Sequence, residues 1–133
     1  MNIKIYGDGA DIEVMKSQHQ SSTVDGFTTN PTLMKKVCIT NYIDFAKEAI
    51  DVIKDLSISF EVFSDELDEM KAQALTLNEL GKNVWVKIPV TNTKGESTAN
   101  IVKELTQQGV KVNVTAIFTL EQVQTVYDSI DAN

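Results

Sequence analysis

In the run Val84-Trp85-Val86-Lys87-Ile88-Pro89-Val90, Lys87 is the one charge in a segment that otherwise has the make-up of a buried strand. Desolvation disfavours the charged form of an amine, so a lysine held there becomes available as a neutral nucleophile near neutral pH. Imine formation on a ketone needs that form. The alternative is a lysine whose flexible stem carries the ammonium out to water at the strand end. The elements around Lys87 must decide between the two.

Short β-like runs alternate with longer amphipathic stretches, and no Pro-, Gly- or Ser-rich linker divides the 133 residues, which predicts one domain over 1–133. Strands are expected at about 3–8, 23–28, 58–62, 84–90 and 110–116. Helices are expected at about 10–18, 41–56, 64–80 and 119–130, with another that starts within 93–97 and is stopped by Gly109. Ser64 is the expected N-cap of the third helix, and Thr119-Leu120-Glu121-Gln122 has the spacing of a capping box. Pro31 disfavours helix at Asn30 and can open a short helical turn.

Five successive βα units imply a parallel sheet, either an open doubly wound sheet or a (β/α) barrel. Val110, Val112 and Val114 share one strand face and Lys111, Asn113 and Thr115 the other; Ile58, Phe60 and Val62 oppose Ser59 and Glu61; Val84, Val86 and Ile88 oppose Trp85 and Lys87. Parallel strands covered on both sides are apolar on both faces. Here one face is aliphatic and the other carries polar groups toward the strands' C-terminal ends, where barrel active sites lie. Asp8, Thr28 and Asn30 end the first two strands in the same way. A polar face open to solvent would give the same alternation.

Composition narrows the function classes. Twelve basic against nineteen acidic side chains give a net charge of -7, without a basic stripe, which argues against nucleic acid and anionic membranes as partners. No His or Cys cluster has metal-ligand spacing and no glycine-rich phosphate loop occurs. Cys38 is the only cysteine, which excludes an intrachain disulfide and suggests a reducing compartment; it is expected to be a small, partly buried hydrophobe. The start Met-Asn-Ile-Lys-Ile-Tyr has no basic leader and no long apolar run, so a cytoplasmic protein is expected. His19 reads as a solvated surface residue, Asp65, Glu66, Asp68 and Glu69 as acidic groups at a helix N-terminus, and Lys111 as paired with a carboxylate.

Asp8, the segment Asp25-Gly26-Phe27-Thr28-Thr29-Asn30-Pro31-Thr32-Leu33, Phe60-Glu61-Val62, Val86-Lys87-Ile88-Pro89-Val90-Thr91 and Val112-Asn113-Val114-Thr115-Ala116-Ile117-Phe118 resemble transaldolase motifs, in the family's order along the whole chain. The branch it most resembles is that of the small transaldolases and fructose-6-phosphate aldolases, which implies a (β/α)8 TIM barrel that works without metal or organic cofactor. The resemblance implies that Lys87 forms the Schiff base and that Asp8 is the acid/base for the hydroxyl next to the bond being cleaved. It gives Glu61, through a water with Thr115, the proton transfers of imine formation and hydrolysis. Asn30 and Asn113 would hold the hydroxyls of a dihydroxyacetone unit, with Thr28 lining the site. The implied reaction moves that unit from a ketose phosphate to an aldose phosphate, as in the pentose phosphate pathway; fructose-6-phosphate aldolase is the alternative. Glu61 favours transfer, because the related aldolases usually carry glutamine there.

Two departures qualify the resemblance. The chain has about five of the family's eight βα units, a partial barrel with free strand edges, and lacks any arginine for a substrate phosphate. Such a chain is expected to form a homo-oligomer, to be part of a longer enzyme, or to be an inactive half-barrel serving as an assembly or sugar-binding module. In Gly7-Asp8-Gly9 the flanking glycines loosen the backbone around the proposed base.

Overall fold

Residues 3–130 are described by the computed structural model; the expectations that touch Met1, Asn2 and Asn133 lie outside them. Strands β1 Tyr6–Asp8, β2 Gly26–Thr28, β3 Ser57–Glu61, β4 Val84–Pro89 and β5 Val112–Thr115 alternate with helices α1 Ile12–Gln20, α2 Pro31–Lys36, α3 Tyr42–Val52, α4 Leu67–Asn78, α5 Ala99–Gln107 and α6 Leu120–Ser129. Helices begin where a side chain satisfies the free amides of the first turn. Asp11 accepts from the Glu13 and Val14 amides, Asn30 from Leu33, and Asn41 from Asp44. Thr119 and Gln122 close the capping box read from the sequence.

Several expected boundaries move. α4 starts after Glu66 with no side-chain cap, because the Ser64 hydroxyl instead bonds Glu69 at 2.5 Å and accepts the Glu66 amide. β5 stops at Thr115 because Ala116 turns into the left-handed region at φ 58°. Only the last residues of the first two expected strands join the ladder. Ahead of them, Asp25 closes a pair of bonds with Ile5, accepting its amide on Oδ2 and donating its own amide to the Ile5 carbonyl. Cys38 is exposed at φ 59° just past α2, not a partly buried hydrophobe. His19 lies half-buried, 2.5 Å from Asp55, rather than free in solvent. The Lys111 ammonium bonds the Lys82 carbonyl and lies 6.0 Å from the Trp85 ring; the pairing with a carboxylate is not made.

All strands are parallel, in the spatial order β1-β2-β3-β4-β5. A doubly wound sheet reverses its order at a switch point, whereas a barrel winds one way, so the sequential order selects the barrel type of winding. Ile58, Phe60, Val84, Val86 and Ile88 are buried on the helix-covered face against Ala46, Ala49, Ile53, Met70, Leu77, Val102 and Leu105. Burying each large aliphatic or aromatic side chain there contributes about 1.5–3 kcal/mol. On the other face Tyr6 and Trp85 remain 49% and 39% exposed, so the polar side of these five strands is open. Among the described residues, no helix is long and apolar enough to cross a membrane.

Close packing of β2 between its neighbours needs Gly26. A Cβ there would lie 2.5 Å from the Ser57 hydroxyl, 2.7 Å from a Tyr6 ring carbon and 2.9 Å from the Ser57 carbonyl oxygen. Beyond the strands, the loop after β3 is clasped to the loop after β4. Asp65 accepts the Thr93 amide at 2.8 Å and the Thr93 hydroxyl at 2.5 Å, its carbonyl accepts from Asn92, and Lys94 reaches Glu66 at 2.5 Å. Asp65 and Glu66 thus tie two loops together rather than lining a first helical turn, a role left to Asp68 and Glu69.

Gly26→Ala is expected to cost about 1–3 kcal/mol of unfolding free energy, measured by urea titration, because backbone as well as side chains must yield. Thr93's hydroxyl and then its amide hold the Asp65 carboxyl below the usual carboxylate range. A lowered folded value stabilises above the unfolded value and is lost as pH falls through the folded one. The protection factor of the Thr93 amide should therefore hold at neutral pH and collapse below about pH 4, and Asp65→Asn should remove most of that pH dependence.

Candidate functional site

Parallel register builds the site. Glu61 on β3, Lys87 on β4 and Asn113 on β5 are register partners, so their side chains form one row on the open face. Asp8, Thr28 and Ser59 are register partners in the row before it. Lys87 does not carry its ammonium out to bulk water: its side chain is 13% exposed and Nζ lies 3.5 Å from Glu61 Oε2, whose side chain is 23% exposed. Glu61 is thus the carboxylate that faces the Lys87 amine across the β3–β4 ladder.

Lys87 faces a groove of about 530 Å³ lined also by Tyr6, Thr28, Ser57, Ser59, Trp85, Val112 and Asn113. The Asn113 amide reaches over β4 to donate to the Ser59 hydroxyl at 3.4 Å. Ser59, buried and facing the groove, is a polar group that the sequence placed on this face without giving it a role. A cavity of similar size on the outer face, lined by Tyr42, Ile43, Phe63, Gln73 and Leu77 among others, lies away from Lys87 and holds no nucleophilic amine.

The remaining expected residues sit farther out. Asp8 is exposed on β1, and β2 and β3 separate it from β4 by roughly 14 Å of sheet. It is therefore not on a strand neighbouring Lys87, and the structure shows no contact between the two. Asn30 uses its Oδ1 to cap α2, so what it can offer a ligand is its amide nitrogen. Thr115 is level with Pro89, two residues past the Lys87 row, where its carbonyl receives the Val90 amide.

Two residues absent from the sequence reasoning hold the strand ends. The Thr98 hydroxyl, buried at the start of α5, donates to the Pro89 and Val90 carbonyls just past Lys87. Tyr42 donates its hydroxyl to the Glu61 carbonyl at 2.6 Å. Burial first, and the Glu61 carboxylate second, push the Tyr42 phenol well above its ordinary value, so it stays a donor through the physiological range. Nothing local in the sequence marks either contact, since each joins elements far apart in the chain.

A shielded amine beside a carboxylate, with an amide and hydroxyls on the same surface, can form an imine with a small polyhydroxylated ketone and pass protons during its formation. Comparisons with known proteins give the family. The sequence model of the transaldolase/fructose-6-phosphate aldolase family matches residues 5–132. A protein of Thermoanaerobacter sp. (strain X514) described as a probable transaldolase is 34% identical over 120 residues, covering 90% of this chain and 53% of the relative. Probable transaldolases of Streptococcus equi subsp. zooepidemicus (strain MGCS10565) and Geotalea daltonii are 36% identical over 120 residues and 38% over 117 residues, covering 90% and 88% of this chain and 53% and 52% of their own lengths. The chain thus spans about half the length of the curated relatives it matches. With its sequentially wound parallel sheet and its site lysine on the fourth strand, the chain belongs to the transaldolase/fructose-6-phosphate aldolase family and carries five βα units of that TIM-barrel fold.

Proposed function

We propose that this chain carries the Schiff-base half of a transaldolase site and transfers a dihydroxyacetone unit from a ketose phosphate to an aldose phosphate. The observation that carries this reading is the Lys87 amine, 13% exposed and 3.5 Å from the Glu61 carboxylate, in register with Asn113. Neutral Lys87 adds to the C2 ketone and loses water to give a protonated imine. That cation takes up the electron pair released when the C3–C4 bond breaks, leaving an enamine on the lysine and an aldehyde. A base must accept the C4 hydroxyl proton as the bond opens, and this is the role proposed for Asp8. Glu61, with Thr115 through a water, serves the proton transfers that form and hydrolyse the imine. Asn113, Asn30 and Thr28 orient the hydroxyls without adding a charge beside the imine.

Transfer is preferred over release of dihydroxyacetone because position 61 is glutamate and the relatives named above are described as probable transaldolases. The same reading takes sugar phosphates as substrates in the cytoplasm, in the pentose phosphate pathway, with copies of the chain assembling. The openness of the polar face favours a second reading, a half-barrel that binds sugars or assembles without turnover.

Borohydride trapping with fructose 6-phosphate, read by intact-mass and peptide analysis, is expected to place a single reduced adduct on Lys87 and none on Lys87→Ala. A folded protein that yields no adduct would sink the enzymatic reading for this chain and leave the half-barrel module. Where the adduct forms, product that appears only when an aldose phosphate is added marks transfer, and free dihydroxyacetone without acceptor marks the aldolase. Glu61→Gln is expected to slow trapping by roughly 10²-fold, the scale of one lost acid/base group.

A further inference from the structure

The β2–β3 ladder runs out one step before Glu61. The Thr29 amide donates to the Ser59 carbonyl at 3.1 Å. Two residues farther along both strands, the same pattern would set the amide of residue 31 against the Glu61 carbonyl. Residue 31 is proline, which has no N–H to give. The Tyr42 hydroxyl, coming from the first turn of α3, takes that place at 2.6 Å. Its ring is locked edge-on against the residues flanking Glu61, 6.2 Å from the Phe60 centroid and 5.7 Å from that of Phe63.

We infer that Tyr42 is a positioning residue for the site: by supplying the ladder donor that Pro31 lacks, it fixes the Glu61 backbone and so holds the Glu61 carboxylate opposite Lys87. It touches neither the amine nor a substrate. Its importance for turnover rests on the lysine reading above, but its effect on the Lys87–Glu61 pair does not.

The test compares the unaltered chain with Tyr42→Phe, Glu61→Gln and the double variant. Lys87 acetylation by trace reagent is followed against pH by peptide mass spectrometry, with thermal melting as the check on folding. Losing the carboxylate partner frees the amine to react, so Glu61→Gln should raise Lys87 labelling at a given pH several-fold and so displace its profile. Tyr42→Phe, which keeps the ring packing, should move it the same way, and the double variant no farther than Glu61→Gln alone. Pro31→Ala in the Tyr42→Phe background gives residue 31 an N–H and should return the profile toward that of the unaltered chain. A Lys87 profile that Tyr42→Phe leaves in place, shifts that add in the double variant, or a displaced profile that Pro31→Ala does not restore would each overturn the inference. Imine trapping in the unaltered chain is a separate readout: its absence removes the enzymatic reading while the labelling comparison still decides the role of Tyr42.

Discussion

The register of β3 against β4 is the constraint on which the rest of the site depends. Because side chains alternate along a strand, a slip of one residue would send Lys87 into the aliphatic layer and Val86 onto the groove. Burying an unpaired ammonium costs several kcal/mol, whereas Phe60, Val84, Val86 and Ile88 gain from burial only in the observed register. Hydrophobic packing on one face therefore fixes, on the other, the pairing of Lys87 with Glu61. The pair itself is partly solvated and contributes little to stability; the value proposed for it is chemical.

Around this register, the fold invests its polar contacts at the strands' C-terminal ends. Asp65 clasps Thr93, Thr98 closes on the carbonyls past Lys87, Tyr42 completes the end of β3, and Asn30 caps α2 beside β2. These contacts order backbone whose groups would otherwise lie half-buried without partners.

The open face and the family relationship fit together. The chain spans about half the length of the curated relatives it matches, and here Asp8 and Asn113 lie on the two edge strands of the sheet. Asp8, on the lateral edge at β1, is the proposed site residue farthest from Lys87 along the sheet. Lys87, Glu61 and Asn113 need no closure, because adjacent strands already set them side by side.

Much of this was legible in the sequence wherever the information is local. The period of two in β3, β4 and β5 told the aliphatic face from the polar one, the capping box at Thr119 started α6, and a lone lysine in an apolar strand marked the proposed nucleophile. The starts of α1 and α4, the early end of β5 at Ala116 and the exposure of Cys38 were not legible, since they turn on which side chain wins a particular amide or on a single left-handed residue. The sequence by itself determined the units, their order and the chemical type of each site residue, because alternation and caps act within a few residues. Only the tertiary structure decided that Asp8 lies strands away from Lys87, that Asn113 reaches Ser59 and that Tyr42 replaces the donor missing at Pro31. Those outcomes depend on distances between elements far apart in the chain, which packing and register set and no local pattern encodes.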